Sequence, residues 1–317
     1  QNMLDQDDHN HARLRTLVHK AFTPARIEQL RSHIRTLAEG LITAMERKPQ
    51  IELVADFALP LPLTVISELL GIPAKDRGLF QRLSQQTLLP PTAVNMLRVV
   101  PAMWRLIRFI RQLLAERKQR PTDDLLSALT QAEEAGDRLS EDEQVAMVIL
   151  LLIAGHETTV NLISSGMLAL LQHPDQLAWL RAHPEGIKSA VEELLRYCNP
   201  VETATERYAS VATTIGGQEI RQGELVWAVI ASANRDETHF PNPDVLDLKR
   251  EPNRHLAFGQ GGHFCLGAPL ARLEAQIGLG LLIERLPDLR LAVPKDKLIW
   301  RNTPVVRGLK ELPLARS

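Results

Sequence analysis

Cysteine is scarce in this sequence, and long apolar runs are missing. The chain has two cysteines in 317 residues, too few for a disulfide framework, which favours a reducing compartment such as the cytoplasm. The most apolar run, residues 145–154, is about half as long as a membrane span requires. No targeting pattern is visible either. We therefore expect a cytoplasmic protein without a membrane partner.

An excess of charge of one sign is also missing. Lysine and arginine number 37 and aspartate and glutamate 38, which gives a formal net charge of -1 at pH 7. A balanced chain has no electrostatic reason to bind nucleic acid or an anionic membrane. Hydrophobic residues make up 44% and charged residues 24%, as in ordinary globular proteins. We expect a monomer with one large core, a single domain over residues 1–317.

The hydrophobic pattern predicts a mainly α protein. Apolar residues recur every three or four positions from Ile27 to Met45, after a Thr23-Pro24 pair that is typical of a helix start. Residues 205–230 contain two short β-prone runs with Gly216-Gly217 and Gln222-Gly223 at the turns, which predicts a small antiparallel sheet. Further helices are predicted over residues 60–71, 75–87, 94–118, 123–135 and 142–172, after His183-Pro184 as far as Tyr197, and directly after residue 265.

A glycine-rich loop surrounds one of the two cysteines. Residues 258–267 read FGQGGHFCLG and include four glycines, which suggests tight turns or a flat ligand against the main chain. Apolar residues at 270, 273, 277 and 281 predict that a helix begins just after Cys265. A helix N-terminus lowers the pKa of a nearby thiol. We therefore expect Cys265 to be a thiolate.

Four interpretations of Cys265 are open at this point. It can be a buried structural cysteine in an ordinary turn. A zinc site is poorly supported, because the sequence has no CxxC pair and Cys198 is distant. A nucleophile with a histidine base fits any of ten histidines and is therefore unspecific. A single thiolate beneath a haem agrees best with the glycines, because a flat macrocycle needs close backbone approach and an axial ligand.

A polar segment interrupts the apolar pattern of residues 144–172. It reads AGHETT, residues 154–159, and its glycine weakens a helix by about 1 kcal/mol relative to alanine. The threonines can hydrogen-bond back to the preceding turn. Alternatively, Glu157 and Thr158 can relay protons to a group bound near Gly155. A zinc site of the HExxH type is excluded, because Val160 stands where the second histidine is required.

The other candidate residues are charged pairs that mean little one at a time. Glu193 and Arg196 are three residues apart and so share a helix face, which alone is worth about 0.2–0.5 kcal/mol. A haem carries two carboxylates that require cationic or hydrogen-bonding partners. The candidates for this role are His11 and Arg15 near the start of the chain, and Arg207 and His255 around the predicted sheet and the cysteine loop.

Taken together, these stretches resemble the cytochrome P-450 family, specifically its soluble bacterial type. FGQGGHFCLG matches the family signature FxxGx(H/R)xCxG, and AGHETT matches AGx(E/D)T(T/S). ELLR at 193–196 matches ExxR, and HARLR at 11–15 matches HxxxR. All four occur in the family's order, and the resemblance covers nearly the whole chain. The first motif lies close to the start of the sequence, and we therefore expect that the given residues lack the N-terminal part of the family fold.

The resemblance implies a cytochrome P-450 fold with haem b between the long central helix and the cysteine loop and last helix. Cys265 is then the thiolate ligand of the iron, and Phe258 packs beside its sulfur. Ala154, Gly155 and Gly267 are expected to contact the haem. The residues expected to hold its carboxylates are His11, Arg15, Arg207 and His255, with His263 at the same edge.

The family also implies an activity and roles for the polar motifs. Thr158 is expected to hydrogen-bond oxygen and Glu157 to gate protons, whereas Glu193, Arg196 and Arg250 lock the fold around the cysteine loop. The implied enzyme is a monooxygenase that uses O2 to hydroxylate or epoxidise a small, mostly apolar molecule. Its electrons are expected from a ferredoxin or flavodoxin with its reductase.

Two finer expectations concern surfaces. Lys20 and Arg272 are candidate docking charges for the redox partner. Residues 88–96, 151–154, 200–205 and 304–306 are candidate walls of a substrate pocket. Three alternatives stay open: a peroxide-driven enzyme of the same fold, a non-catalytic haem-binding protein, and a truncated inactive form.

Overall fold

Helices form most of the described part of the chain. The computed structural model describes residues 2–21, 23–87, 93–134, 137–301, 303 and 305–316. The prediction of a mainly α fold is confirmed. The helices are α1 (Asp8–Ala21), α2 (Pro24–Glu28), α3 (Arg31–Met45), α4 (Pro60–Leu69), α5 (Ala74–Thr87), α6 (Ala93–Gln119), α7 (Leu125–Gln131), α8 (Glu141–Gln172), α9 (Pro174–Ala182), α10 (Ile187–Cys198), α11 (Ile230–Ala233) and α12 (Ala268–Arg285).

The strands are short and pair in small antiparallel sheets. One sheet has the order β1-β9-β8, and the other three are the pairs β2-β3, β4-β7 and β5-β6. The predicted β region at 205–230 therefore contains two of these pairs. The strands are β1 (Gln50–Glu52), β2 (Glu133–Glu134), β3 (Asp137–Arg138), β4 (Arg207–Tyr208), β5 (Thr213–Ile215), β6 (Gln218–Ile220), β7 (Leu225–Val226), β8 (Leu289–Leu291) and β9 (Pro313–Arg316).

The helix predicted from Pro24 onward is two helices. The Thr23 hydroxyl caps α2 by accepting from the Arg26 N–H at 3.3 Å, but α2 ends at Glu28 and α3 begins at Arg31. The turn between them allows both helices to contact α12. The buried face of α3 consists of Ile34, Ala38, Ile42 and Met45.

Helix α8 is the central element of the core. Ser140 and Glu143 form a capping box at its N-terminus, in which each side chain bonds the other's backbone N–H. The helix packs against α4, α10 and α12, and most of its residues from Thr159 to Leu170 are buried. By length and composition alone α8 is the one helix among the described residues that could cross a membrane. In this fold it is the core helix, and α12 places the cysteine loop against the same core.

Candidate active site

The cysteine loop is a compact turn that ends at the start of α12. Gly259 and Gly261 have φ values of +70° and +77°, a region that favours glycine because it has no Cβ. The Cys265 N–H donates to the Phe258 carbonyl at 2.9 Å, which brings the two ends of the loop together. Two of the four glycines are thus required by the backbone. The loop places Cys265 three residues before α12.

Cys265 is partly exposed as a residue, and two backbone N–H groups lie close enough to its thiol to affect the thiol pKa. These groups belong to Gly267 and Ala268, at the N-terminus of α12. Burial raises the pKa of the Cys265 thiol, and these two N–H groups lower it without outweighing burial. The expectation that the helix start alone keeps this residue a thiolate is therefore wrong. A bound metal cation would supply the missing stabilisation, because a coordinating thiol is deprotonated.

The Phe258 ring is held from outside the loop by Arg272 of α12. The Arg272 guanidinium lies 4.4 Å from the centroid of that ring, within the range of a cation–π contact. The same guanidinium forms two hydrogen bonds with Glu192 of α10, at 2.7 and 2.8 Å. The expected docking charge Arg272 is thus engaged inside the protein, and the side chain of Lys20 lies outside the described residues.

His255 contacts Glu192, as Arg272 does. It lies apart from the other residues expected to bind the haem carboxylates. Its Nε2 donates to Glu192 at 3.0 Å, and its Nδ1 accepts from the Ala257 N–H at 3.2 Å. Burial by itself raises the pKa of Glu192, but hydrogen bonds from His255 and Arg272 outweigh burial and lower it to about 2. The prediction from sequence that His255 lies near the cysteine loop is correct. The direction in which its ring points depends on Glu192.

The other four expected carboxylate partners lie together around Asp7. The His11 and His263 rings have centroids 4.0 Å apart. His263 Nε2 donates to Asp7 Oδ1 at 3.1 Å, and Arg207 Nη1 lies 3.2 and 3.3 Å from the two Asp7 oxygens. Arg15 donates to a carbonyl of the cysteine loop at 2.7 Å. Asp7 was missed in the sequence, where only its position four residues before His11 links it to this cluster.

This cluster has more positive groups than its one carboxylate neutralises. Burial lowers the pKa of His11, and repulsion by His263 and Arg15 lowers it further. Added negative charge at this edge of the cysteine loop is therefore favourable. A ligand with carboxylates meets that requirement.

The polar segment of α8 is continuous helix with an exposed position in its middle. Ala154 is exposed and Glu157 and Thr158 are partly exposed, although Leu152, His156 and Thr159 nearby are buried. The Thr158 hydroxyl donates to the Ala154 carbonyl at 3.0 Å, which is the back-bonding alternative considered from the sequence. A Cβ at position 155 would come within 3.2 Å of Ile66 of α4. Close packing of α4 and α8 therefore accounts for Gly155.

Glu157 is paired with a residue that sequence analysis did not find. Arg301 Nη1 donates to Glu157 Oε1 at 2.8 Å, and the two side chains are 29% and 16% exposed. The neighbouring His156 is buried, with Nδ1 donating to the Leu152 carbonyl at 2.7 Å. Burial lowers the pKa of His156, which favours its neutral form. Within the polar segment, Glu157 and Thr158 are thus the side chains with access to a partly open space.

The ExxR pair is a buried structural centre. Arg196 forms two hydrogen bonds of 2.8 Å with Glu193, and both side chains are 0% exposed. Arg250 Nε lies 3.2 Å from both Glu193 oxygens. Arg196 also donates to the carbonyls of Asn234, Pro243 and Val245. The pair thereby ties α10 to the irregular segment before the cysteine loop.

The residues present fit a haem with one protein ligand. No cluster of three or more metal-ligating side chains occurs among the residues that the structure describes, so a lone thiol agrees better with an axial ligand than with a zinc site. The cationic cluster at one edge suits the two haem carboxylates. Ala154 is exposed on the central helix α8. Its side chain is a single methyl group, which leaves room for a ligand against the helix. Of the expected pocket walls, residues 88–92 and Pro304 lie outside the described residues.

Comparison with known proteins agrees with this site. A sequence profile of the cytochrome P-450 family matches residues 90–183 and 186–300. The polyketide biosynthesis cytochrome P-450 PksS of Bacillus subtilis is 46% identical over 316 residues, which are 100% of this chain and 78% of that protein. The PksS structure superposes with a TM-score of 0.96, covering 100% of this chain and 81% of that chain.

Two solved structures with bound fatty acids are also similar. The myxobacterial cytochrome P-450 CYP267B1 with myristic acid has a TM-score of 0.94 and 45% identity, covering 100% of this chain and 79% of its own. The BioI cytochrome P-450, in complex with an acyl carrier protein ligated to hexadec-9Z-enoic acid, has a TM-score of 0.92 and 41% identity, covering 99% and 81%.

The chain is therefore a member of the cytochrome P-450 family, of the soluble bacterial type. The family resemblance seen in the sequence is confirmed, as are the fold and the haem b cofactor. The protein is an oxidoreductase of the cytochrome P-450 monooxygenase class.

Proposed function

We propose that this protein inserts one oxygen atom of O2 into a small, mostly apolar organic molecule, by hydroxylation or epoxidation. The reaction consumes the substrate, O2, two electrons and two protons, and yields the oxygenated product and water. The observation that carries the proposal is the juxtaposition, on the exposed middle of α8, of the Glu157 carboxylate and the Thr158 hydroxyl. An acid next to an alcohol can deliver protons at a site where oxygen is reduced.

The proposed substrate class is an apolar chain of the fatty-acid or polyketide kind, or a terpenoid. Ala154 presents an exposed apolar surface beside the acid and alcohol, with the buried Leu151 one turn earlier on the helix, and apolar surfaces bind apolar ligands while a few polar groups orient them. Two structural relatives were solved with fatty acyl ligands, one of them attached to an acyl carrier protein. Free fatty acids and carrier-bound acyl chains are therefore the first compounds to test.

Cys265 would hold the haem through its thiolate, and the haem when bound supplies the activation of O2. The N–H groups of Gly267 and Ala268 would hold the sulfur in place, and Phe258 would pack beside it. His11, Arg15, Arg207 and His263 would bind the haem carboxylates. His255 is not included, because its ring already bonds Glu192.

Thr158 must change its hydrogen bond to act on oxygen. A hydroxyl has one hydrogen, which Thr158 gives to the Ala154 carbonyl. Rotation of the hydroxyl away from this carbonyl frees the hydrogen for a bound oxygen molecule. Glu157, which is ionised while it pairs with Arg301, would take up a proton from solvent and pass it on through the Thr158 oxygen or an intervening water. Arg301 would hold the carboxylate between transfers.

Electrons are proposed to come from a separate ferredoxin or flavodoxin with its reductase, in the cytoplasm. The two cysteines of the chain are fewer than the four thiolates that common iron–sulfur clusters use. Residues 1–317 are proposed to act as a single domain. The described helices share one hydrophobic core, which supports this.

The test of the proposed function is the fate of consumed oxygen. The haem-loaded protein is supplied with electrons from a plant ferredoxin and its reductase, with myristic acid as the probe. We expect Thr158→Ala to raise the fraction of oxygen recovered as hydrogen peroxide about tenfold. Thr36→Ala is a matched control, because Thr36 also donates to a carbonyl four residues earlier, on α3. Equal peroxide fractions in all three proteins would contradict the proposal.

A further inference from the structure

The described residues of the segment 299–310 (299–301, 303 and 305–310) form a hairpin-like arrangement that connects the C-terminal region to two other elements. The Arg301 N–H donates to the Gly308 carbonyl at 2.9 Å, and Lys310 N–H donates to the Ile299 carbonyl at 2.9 Å. On its other side the segment pairs with the chain after α10, through a bridge between Val201 and Val306. The position of Arg301 is therefore fixed by main-chain hydrogen bonds at several points.

This segment contacts α8 at two positions on one face. Arg301 Nη1 bonds Glu157 Oε1 at 2.8 Å. Gly308 lies against Asn161, so closely that a Cβ on Gly308 would come within 1.9 Å of Asn161 Oδ1. Glu157 and Asn161 are four residues apart, and positions with that spacing lie one above the other on a helix. The close contact at Gly308 therefore determines where Arg301 meets Glu157.

We infer that Arg301 is a positioning residue for Glu157, and that the segment 299–310 controls proton delivery by holding this carboxylate in one place. The inference rests on the proposed function and names a residue that neither the family signature nor the cysteine loop contains. Arg301 does not itself touch the reacting atoms. It acts on Glu157, which passes protons on through Thr158 or a water.

The environment of the pair makes this contact stronger than an ordinary surface ion pair. Both side chains are less than one-third exposed, at 29% and 16%, so solvent screens their attraction incompletely. By contrast, Arg307 of the same segment pairs with Glu202 at 3.1 Å while 52% exposed. Pairs of that kind contribute little. Arg307 therefore offers a control on the same segment with the same chemistry.

Loss of Arg301 should change how consumed oxygen is divided between two outcomes. In one, O2, two electrons and two protons give hydrogen peroxide. In the other, the same electrons and protons cleave the O–O bond, and one oxygen atom enters the substrate while the other leaves as water. Each transfer requires Glu157 to take up a proton from solvent and pass it on, and a freely moving Glu157 is in place for this less often, because it adopts several rotamers. Peroxide should therefore increase at the expense of product or water.

The experiment compares Arg301→Gln, Arg301→Lys and the control Arg307→Gln, each loaded with haem. The first readout is the fraction of consumed oxygen recovered as hydrogen peroxide, measured with and without myristic acid. The second is the Kd of myristic acid from its spectral titration. The third does not depend on turnover: the unfolding temperatures of Arg301→Gln, Glu157→Gln and the double variant.

We expect Arg301→Gln to raise the peroxide fraction at least about threefold, with the Kd unchanged, and Arg301→Lys to restore most of the loss. Arg307→Gln should behave as the parent protein. The double variant should lower the unfolding temperature no further than the larger single effect, because both changes remove one contact. An unchanged peroxide fraction in Arg301→Gln, or additive unfolding temperatures, would overturn the inference.

Failure of the proposed function gives a different pattern. If Thr158→Ala also leaves the peroxide fraction unchanged, the acid–alcohol relay itself is wrong. If Thr158→Ala raises it and Arg301→Gln does not, only the role of Arg301 is wrong. Should Arg301→Gln fail to fold, the peroxide fraction of Arg301→Lys and the unfolding temperature of Glu157→Gln decide whether the pair matters. If the pair is dispensable, neither value should differ from that of the parent protein.

Discussion

Arg272 stacks its guanidinium on the Phe258 ring, 4.4 Å from the ring centroid, while its Nε and Nη2 donate to the two Glu192 carboxylate oxygens. This relationship connects α10 and α12 to the first residue of the cysteine loop. Phe258 in turn accepts the Cys265 N–H at its carbonyl. The position of the sulfur therefore depends on a charged network, as well as on glycines.

Replacement of Arg272 should destabilise the protein measurably. Arg272→Gln removes the stacking on Phe258 and leaves Glu192 without its bidentate partner, so we expect a loss of about 1–2 kcal/mol in the free energy of unfolding. This range allows for the pair being about 30% exposed, at 31% and 29%. Arg35→Gln is the control, since Arg35 pairs with Glu39 on an exposed helix face. Its loss should stay below about 0.5 kcal/mol.

The two losses are measured by urea unfolding of both variants and the parent protein. Equal losses in Arg272→Gln and Arg35→Gln would mean that Arg272 is an ordinary surface arginine.

Stability should depend on pH through Glu192. Its pKa in the folded protein is about 2, below the value of about 4.3 in an unfolded chain. The ionised carboxylate therefore stabilises the protein above about pH 4.3, and this contribution is lost as pH falls toward 2, by at most about 1.4 kcal/mol per pH unit before solvent screening.

The measurement is thermal unfolding of the parent protein and Glu192→Gln from neutral pH downward. The variant should be the less stable at neutral pH, and the difference should shrink as the solution becomes acidic. A difference that does not change with pH would show that the Glu192 carboxylate gains nothing from Arg272 and His255.

Glu274 should produce the opposite dependence on pH. It lies on α12 with 0% exposure, and neither of its side-chain oxygens has a hydrogen-bond partner among the described residues. Burial raises its pKa well above the ordinary value. The protonated form is thus kept in the folded protein. Stability is fully present below about pH 4.3 and is lost as pH rises toward the folded pKa.

Glu274→Gln removes this dependence while keeping the shape of the side chain. Relative to the parent protein, the variant should gain stability as pH rises, by up to about 1.4 kcal/mol per pH unit within the window. Glu284→Gln, at an exposed position of the same helix, is the control and should show no such gain. A constant difference between Glu274→Gln and the parent protein would contradict a protonated Glu274.

Local sequence patterns predicted the elements and several members of the site. Periodicity placed most of the helices, and the motifs placed Cys265, Glu193 with Arg196, and the polar segment of α8. His11 and His263 were grouped correctly although 252 positions separate them, because both belong to family motifs. Patterns of this kind are local or shared by a family.

The remaining features depend on distances between segments that no local pattern specifies. Asp7 and Arg301 are ordinary charged residues in the sequence, and only the fold brings them to the site. His255 turns toward Glu192 because a carboxylate stands there. Whether the Cys265 pKa is raised or lowered depends on the size of the burial effect relative to the effect of two N–H groups. That comparison requires the structure.

The most direct test of the account is the absorption spectrum of the dithionite-reduced protein with carbon monoxide. The parent protein and Cys198→Ser should show a strongly red-shifted Soret band, since burial raises the pKa of the Cys198 thiol to about 12 and leaves it a structural cysteine. Cys265→Ser should lose that band. A red-shifted band that survives in Cys265→Ser, or no haem band in the parent protein, would contradict Cys265 as the haem ligand.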